Sequence, residues 1–233
     1  MGRRLNSGVV SGLLDRGQTL RVVSVNVGRP QKLRWGDRVI ATAILKAPVE
    51  GRIRVGWLNL EGDGQADLEA HGGKSMAVYG YAVEHYDFWE AELGRDDLTF
   101  GMAGENLTIT GLLETDVRVG DTFAVGSCVL QATQPRIPCY KLDAAFELDG
   151  MVERFREAHR YGVHFRVLEE GDVGAGDEFR RLARAEASYT IERVGRLHGG
   201  YETDGTAVEA LAEMESLGFR ARRKFRGMRD ESE

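Results

Sequence analysis

The chain has 233 residues, enough for one large domain or for a domain with a small appendage. Its 42% hydrophobic and 29% charged residues fit a folded globular protein, and a formal net charge of −6 argues against general attraction to nucleic-acid phosphate. No stretch approaches the ~20 apolar residues of a membrane span, and Met1 to Gln18 lacks the apolar run of a secretory signal, so a cytoplasmic protein is expected, with neither nucleic acid nor membrane as partner.

Residues 1–19 read as a flexible lead-in, because a clean strand pattern begins only at Leu20. Leu20 to Val27 alternates as a half-buried strand should, with Val23, Val25 and Val27 on one face. Arg38 to Leu45 and Val55 to Leu60 read as further strands. Ala82 to Leu93 is amphipathic, with Val83, Tyr86 and Trp89 at helical spacing, and Gly94 stops it. Thr122 to Thr133 predicts one long strand, bent at Gly126 or Ser127. Asp149 to His159 follows as a short helix and Gly162 to Leu168 as another strand.

Gly36-Asp37, Gly120-Asp121 and Gly176-Asp177 each precede a strand-like segment. Glycine supplies a positive φ there and aspartate bonds the turn backbone. Three such turns favour a closed or strongly curved sheet, so the expected fold is mainly β (α+β), a barrel with a few inserted helices. After Leu182 the character changes: Thr206 to Leu217 reads as a helix ended by Gly218, and the arginine-rich Phe219 to Arg229 as a solvated face. The expected units are a lead-in (1–19), a β domain (20–185) and a small helical tail (186–233).

The chain carries two cysteines, Cys128 and Cys139, and no structural disulfide is expected without an export signal. The paired Cys/His spacings of a zinc site are missing too. Cys128 lies in an alternating strand and reads as core packing. Cys139 lies in QPRIPCYKL, Gln134 to Leu142, where two prolines lock the backbone and Arg136 and Lys141 flank the thiol. Neighbouring cations favour the thiolate, the form that attacks electrophiles and ligates metals. The alternative is a small residue filling a turn.

Gly62 to Gly73, GDGQADLEAHGG, offers backbone N–H groups that can converge on an anion, with His71 and Lys74 adding charge. It could equally be an ordinary loop. In GMAGENL, Glu105 and Asn106 stand between a glycine turn and a strand; Glu105 suits a general acid or base, a hydrogen bond to a heterocycle, or a turn cap. On an extended strand His164 and Arg166 share a face, which makes an anion-facing wall or a solvated strand face. Phosphate-loop, His-Glu-x-x-His and Gly-x-Ser-x-Gly patterns are absent.

Taken in order, GDGQADLEAHGG, AVEHYDFW, AGENLTITGLLETDVRVGD, QPRIPCYKL and FRVLEEGDVGAGD resemble the MOSC family, the domain type of molybdenum cofactor sulfurase C-termini, in its YiiM-type branch. These pieces span about Leu20 to Leu182, and the tail resembles a short form of that branch's three-helix appendage. The resemblance implies a β-barrel with a basic pocket for the pterin-based molybdenum cofactor, and Cys139 as the molybdenum ligand, a soft thiolate suiting such a metal. His71, Gly72, Gly73, Lys74, Asn106, Arg136, Lys141 and Arg166 would hold the cofactor, with Glu105 and His164 as proton donors.

The implied activity is reduction of N-hydroxylated bases and related compounds to amines, part of detoxification, with electrons from a partner reductase. A non-catalytic cofactor carrier and a cysteine persulfide sulfur carrier are the alternatives. The oligomeric state stays open, a homodimer among the options. One departure stands out: Met76 occupies a position where the YiiM pattern usually has a basic residue, with Lys74 two residues before it.

Overall fold

The computed structural model describes residues 20–64, 72–186 and 189–231, so the lead-in expected at residues 1–19 and the candidate His71 lie outside the described residues. In chain order the strands are β1 (Arg21–Val27), β2 (Gln31–Trp35), β3 (Arg38–Thr42), β4 (Ala47–Pro48), β5 (Arg52–Val55), β6 (Val78–Ala82), β7 (Leu107–Thr110), β8 (Thr122–Val125), β9 (Cys128–Pro135), β10 (Val163–Glu169), β11 (Gly171–Gly174) and β12 (Phe179–Ala183). The helices are α1 (Val83–Leu93), α2 (Lys141–Phe146), α3 (Met151–Glu157), α4 (Ile191–Gly199), α5 (Gly205–Glu213) and α6 (Phe219–Asp230).

Eight strands form one mixed sheet in the order β12-β8-β9-β10-β6-β7-β1-β4, beside the small ladders β11-β5 and β2-β3. Strands β6 and β7 run parallel, which requires a crossover, and α1 provides it. The α+β class therefore holds, while the strand ladder among the described residues does not by itself close into the barrel expected. Strand β1 is joined to the start of β12 by a bridge between Arg21 and Glu178 and by backbone bonds, among them Val22 N–H to Asp177 C=O at 2.9 Å and Phe179 N–H to Leu20 C=O at 2.7 Å.

Several local expectations are corrected by the geometry of turns and bulges. A register shift between Val22 and Ser24 breaks the alternation of β1, so of the expected trio Val25 enters the core and Val27 packs against it, while Val22 takes the core place expected for Val23. The segment from Val55 to Leu60 is a tight turn after β5, closed by the bridge Val55–Leu60. Gly126, at φ 55°, makes a full reversal between β8 and β9 where a bend was expected. Gly218 begins α6 and does not end α5, because its extended backbone (φ −59°, ψ 140°) suits an N-cap.

The sheet is buried on both faces. Val78 of β6 joins one cluster with Phe123, Phe165 and Phe179, while Tyr79 and Tyr81 join a second with Trp89, Phe146 and Phe155. In the second cluster Trp89 stacks on Phe155 with ring centroids 4.6 Å apart. Helix α1 contributes Tyr86 and Trp89 to it, α2 Phe146 and α3 Phe155. Apolar residues of α4 to α6, including Leu197, Leu211 and Phe225, belong to the first cluster together with the sheet. Among the described residues no helix is long and apolar enough to cross a membrane.

Candidate functional site

Where β6, β9 and β10 lie side by side, His164 is paired with both Tyr79 and Gln134 across the sheet. Those three residues line a cavity of about 360 Å³. The segment Arg136 to Lys141 lines it as β9 runs out toward α2, and Lys46, Asp63 and Asn106 line it from the loops. His198 of α4 and Arg220 and Ala221 of α6 complete the lining from the helical side.

Cys139 owes its place to the two prolines around it. Pro135 ends β9 opposite Val163, and Pro138 fixes φ directly before the cysteine. The chain then turns at once into α2, with Leu142 N–H donating to Cys139 C=O at 2.9 Å. The thiol is thereby held, half-buried, on the cavity surface. Cys128 is fully buried in the first core cluster, where desolvation pushes its thiol up to about 11, so core packing is its role.

Among the described residues four cations line the cavity, Lys46, Arg136, Lys141 and Arg220, against one carboxylate, Asp63. Lys46 is bonded to Asp63, which also accepts from Gly28 N–H and from Asn106 Nδ2, both at 2.9 Å. Burial holds the Lys46 ammonium below its ordinary value, and the attraction of Asp63 offsets this only in part. Arg136 and Lys141 are each only 8% exposed and have no carboxylate partner among the described residues. The Nη1 of Arg136 is buried with no hydrogen-bond acceptor, and its guanidinium lies 6.0 Å from the Tyr79 ring centroid. A buried, unsatisfied guanidinium is costly unless an anion completes it. His198 adds no charge near neutral pH, since burial, then Lys224 and Arg156, lower it to about 4.

Of the candidates read from the sequence, the cavity brings together Cys139, Asn106, Arg136, Lys141 and His164. Asn106 is held rigidly: its Oδ1 accepts from Tyr79 N–H at 3.1 Å while its Nδ2 donates to Asp63. Glu105 is fully buried and does not line the cavity. Its Oε1 accepts from Tyr86 O–H (2.6 Å), Gly101 N–H (2.7 Å) and Thr108 O–H (2.9 Å), while burial raises its carboxyl.

Gly72 and Gly73 lead into a 3-10 turn at Lys74–Met76, Gly73 taking φ 99°. That turn presents Met76 to the cavity and leaves Lys74 exposed outside the lining. Arg166 shares the non-core face of β10 with His164, but its Nη2 donates to Ser216 C=O at 2.8 Å and so anchors the link between α5 and α6.

Lys46, Asp63, Tyr79, Gln134, His198 and Arg220 were not picked out from the sequence. Asp63 stood inside the GDG segment already marked for its glycines, and Gln134 opened the cysteine segment. His198 and Arg220 had no local signal: they reach the cavity only because the C-terminal helices fold back onto the sheet.

A mixed α+β sheet with one cysteine in a cation-lined cavity marks out a recognisable class of fold and site. The MOSC domain profile matches residues 67–180, and the chain belongs to the MOSC family. It is 39% identical over 209 residues to the uncharacterized protein YflK of Bacillus subtilis, covering 90% of this chain and 94% of that protein. It is 31% identical over 179 residues to a protein named "Reductase" from Gibberella moniliformis, covering 76% of this chain but 32% of that protein. Its structure is similar to the crystal structure of YiiM from Geobacillus stearothermophilus, with a TM-score of 0.76, 29% identity, and coverage of 90% of this chain and 99% of the other.

Proposed function

We propose that the cavity holds a molybdenum cofactor, with Cys139 as the protein ligand of the metal, and that the loaded protein reduces N-hydroxylated bases and related compounds to amines. The observation that carries this reading is the buried, acceptor-less Nη1 of Arg136 on the same cavity as the Cys139 thiol. The residues fit such a group: a thiolate suits a soft metal, and Arg136 with Lys141 suits an anionic arm. When bound, the cofactor supplies a metal centre that accepts an oxygen atom and exchanges two electrons.

The overall change is R–NHOH plus two electrons and two protons giving R–NH2 and water. A partner reductase supplies the electrons, since the chain carries no flavin or iron–sulfur motif. Lys46 holds a proton at Nζ on the cavity surface, against Asp63, and its lowered affinity eases release. His164 faces the same space and can pass a proton to the leaving oxygen. Asn106 and Tyr79 fix the cavity floor beneath the ligand. We assign Glu105 to ordering the loop between Gly101 and Thr108, which keeps Asn106 in place.

The test is elemental analysis for molybdenum after expression in a cofactor-competent host, beside Cys139→Ala. Near-stoichiometric metal in the parent and its loss from the variant is the expected result, followed by turnover of a hydroxylaminopurine once a chemical electron donor is added. Metal absent from both proteins, despite confirmed cofactor supply, would overturn the assignment. A loaded protein that fails to turn over with the donor would be a carrier.

A further inference from the structure

Strands β2 and β3 stand apart from the main sheet as a two-stranded ribbon. Cross-strand pairing sets its faces: Lys32 lies opposite Ala41 and Arg34 opposite Val39, while Leu33 pairs with Ile40 and Trp35 with Arg38. The Leu33 side turns inward, with Ile40 and Thr42 buried and Trp35 half-buried. The other face, Lys32, Arg34, Val39 and Ala41, is exposed throughout, Val39 to 64%.

The ribbon carries Lys32, Arg34 and Arg38 against one carboxylate, Asp37 in its turn. Elsewhere on the surface arginines are answered: Arg52 by Asp177, Arg154 by Glu92 and Arg226 by Glu213. None of the three ribbon cations has an ion-pair partner among the described residues. Charge of either sign protects an exposed strand edge from pairing. An excess of cations in a chain of net charge −6 does more: it makes a local positive field around the apolar Val39. The ribbon is also rooted at the cavity wall. Thr42 ends β3 and, with Ala43 and Ile44, lines the cavity. Strand β2 packs against α2, the helix that starts two residues after Cys139, and Tyr140, which joins the cysteine to that helix, is 54% exposed.

We infer that the outer face of the β2–β3 ribbon is the docking surface for an electron-donor protein whose own face is acidic. Charge complementarity selects the partner and speeds its encounter, and Val39 with Tyr140 adds apolar contact. Docked there, the donor stands beside the segments that line the cavity. Two electrons leave its reduced centre for each R–NHOH converted to R–NH2 and water. The inference rests on the proposed function for the partner's being an electron donor; the surface is read from the ribbon alone.

The experiment uses two acidic carriers as probes, a flavodoxin and a [2Fe–2S] ferredoxin. Calorimetry at low and raised salt compares the parent, Lys32→Glu/Arg34→Glu, and Arg223→Glu/Lys224→Glu, an exposed pair on α6 with the same change of charge. At least one carrier is expected to bind the parent, most tightly at low salt. The ribbon variant should weaken it about tenfold or more, and the α6 variant by less than about twofold. Turnover with a chemical donor should match in all three proteins, while carrier-driven turnover falls in the ribbon variant. The inference is overturned if neither carrier binds the parent, or if both double variants weaken binding equally. It is overturned too if the ribbon variant loses affinity for phosphatidylglycerol vesicles or an oligonucleotide and not for the carriers. A parent inert with the chemical donor would refute the catalytic reading, and carrier binding with its loss would still decide the ribbon.

Discussion

On one side of the molecule the buried Glu114 and His85 form a polar chain with the half-buried Arg160. Arg160 Nη1 donates to His85 Nδ1 at 2.8 Å, and His85 Nε2 bonds both oxygens of Glu114 at 2.8 and 2.9 Å. Because a guanidinium only donates, His85 accepts at Nδ1 and carries its hydrogen at Nε2. Glu114 also accepts from Gly162 N–H, and none of the three lines the cavity. At the cavity Arg136 and Lys141 are also buried, yet among the described residues no carboxylate answers them. The same residue chemistry therefore builds scaffold in one place and a receptive surface in the other. What separates them is whether, among the described residues, a carboxylate answers the buried polar group.

The scaffold side gives the largest expected effect. Glu114→Ala removes the acceptor of His85 and of Gly162, and should cost ~3–5 kcal/mol in urea unfolding. A cost under ~1 kcal/mol would mean the chain is not a structural element, and the contrast would fail.

His198 sharpens the comparison by a third solution, giving up its charge. Burial lowers it from 6.5 to about 4, so the folded state prefers the neutral ring. The resulting stability is present above pH 6.5 and is lost as pH falls through that range toward 4, on the order of 2–3 kcal/mol in all. Unfolding midpoints of the parent and His198→Gln at pH 7.5 and 4.5 measure it: the variant should lose less on acidification. Parallel losses would show that the ring is hydrated.

The smallest change carries the opposite sign. Arg136→Met removes a buried cation that has no carboxylate partner among the described residues, so the ligand-free protein should be unchanged or stabilised by ~1–2 kcal/mol. A loss above ~1 kcal/mol would place Arg136 with the scaffold.

How much of this was legible in the sequence depends on range. Strand β1, helix α1 with its Gly94 stop, and the three Gly-Asp turns were readable because each is decided within a few residues; Gly36, Gly120 and Gly176 all adopt positive φ. The bulge in β1 was not, since it is set by pairing with β7. The cysteine segment was legible through its prolines and cations, and the His164 face through strand alternation. Lys74 and Arg166 were read from charge, but only tertiary packing decides whether a cation lines the cavity or, as with Arg166, meets the carbonyl of Ser216. Glu105 was readable as an acid or base, a heterocycle partner or a turn cap, and its bonds to Tyr86 and Thr108 turn the carboxylate toward the loop.

The close seat of Gly218, where a Cβ would lie 1.8 Å from Gln134 Oε1, also orders events in time. Cys139, Arg136 and Lys141 leave the ribosome some eighty residues ahead of Arg220 and Ala221, yet all of them surround one space. Domains fold from the N-terminal side during synthesis. The cavity is therefore still open on its helical side when the thiol first emerges, and any guest that needs both sides is retained only after α6 has been made and docked.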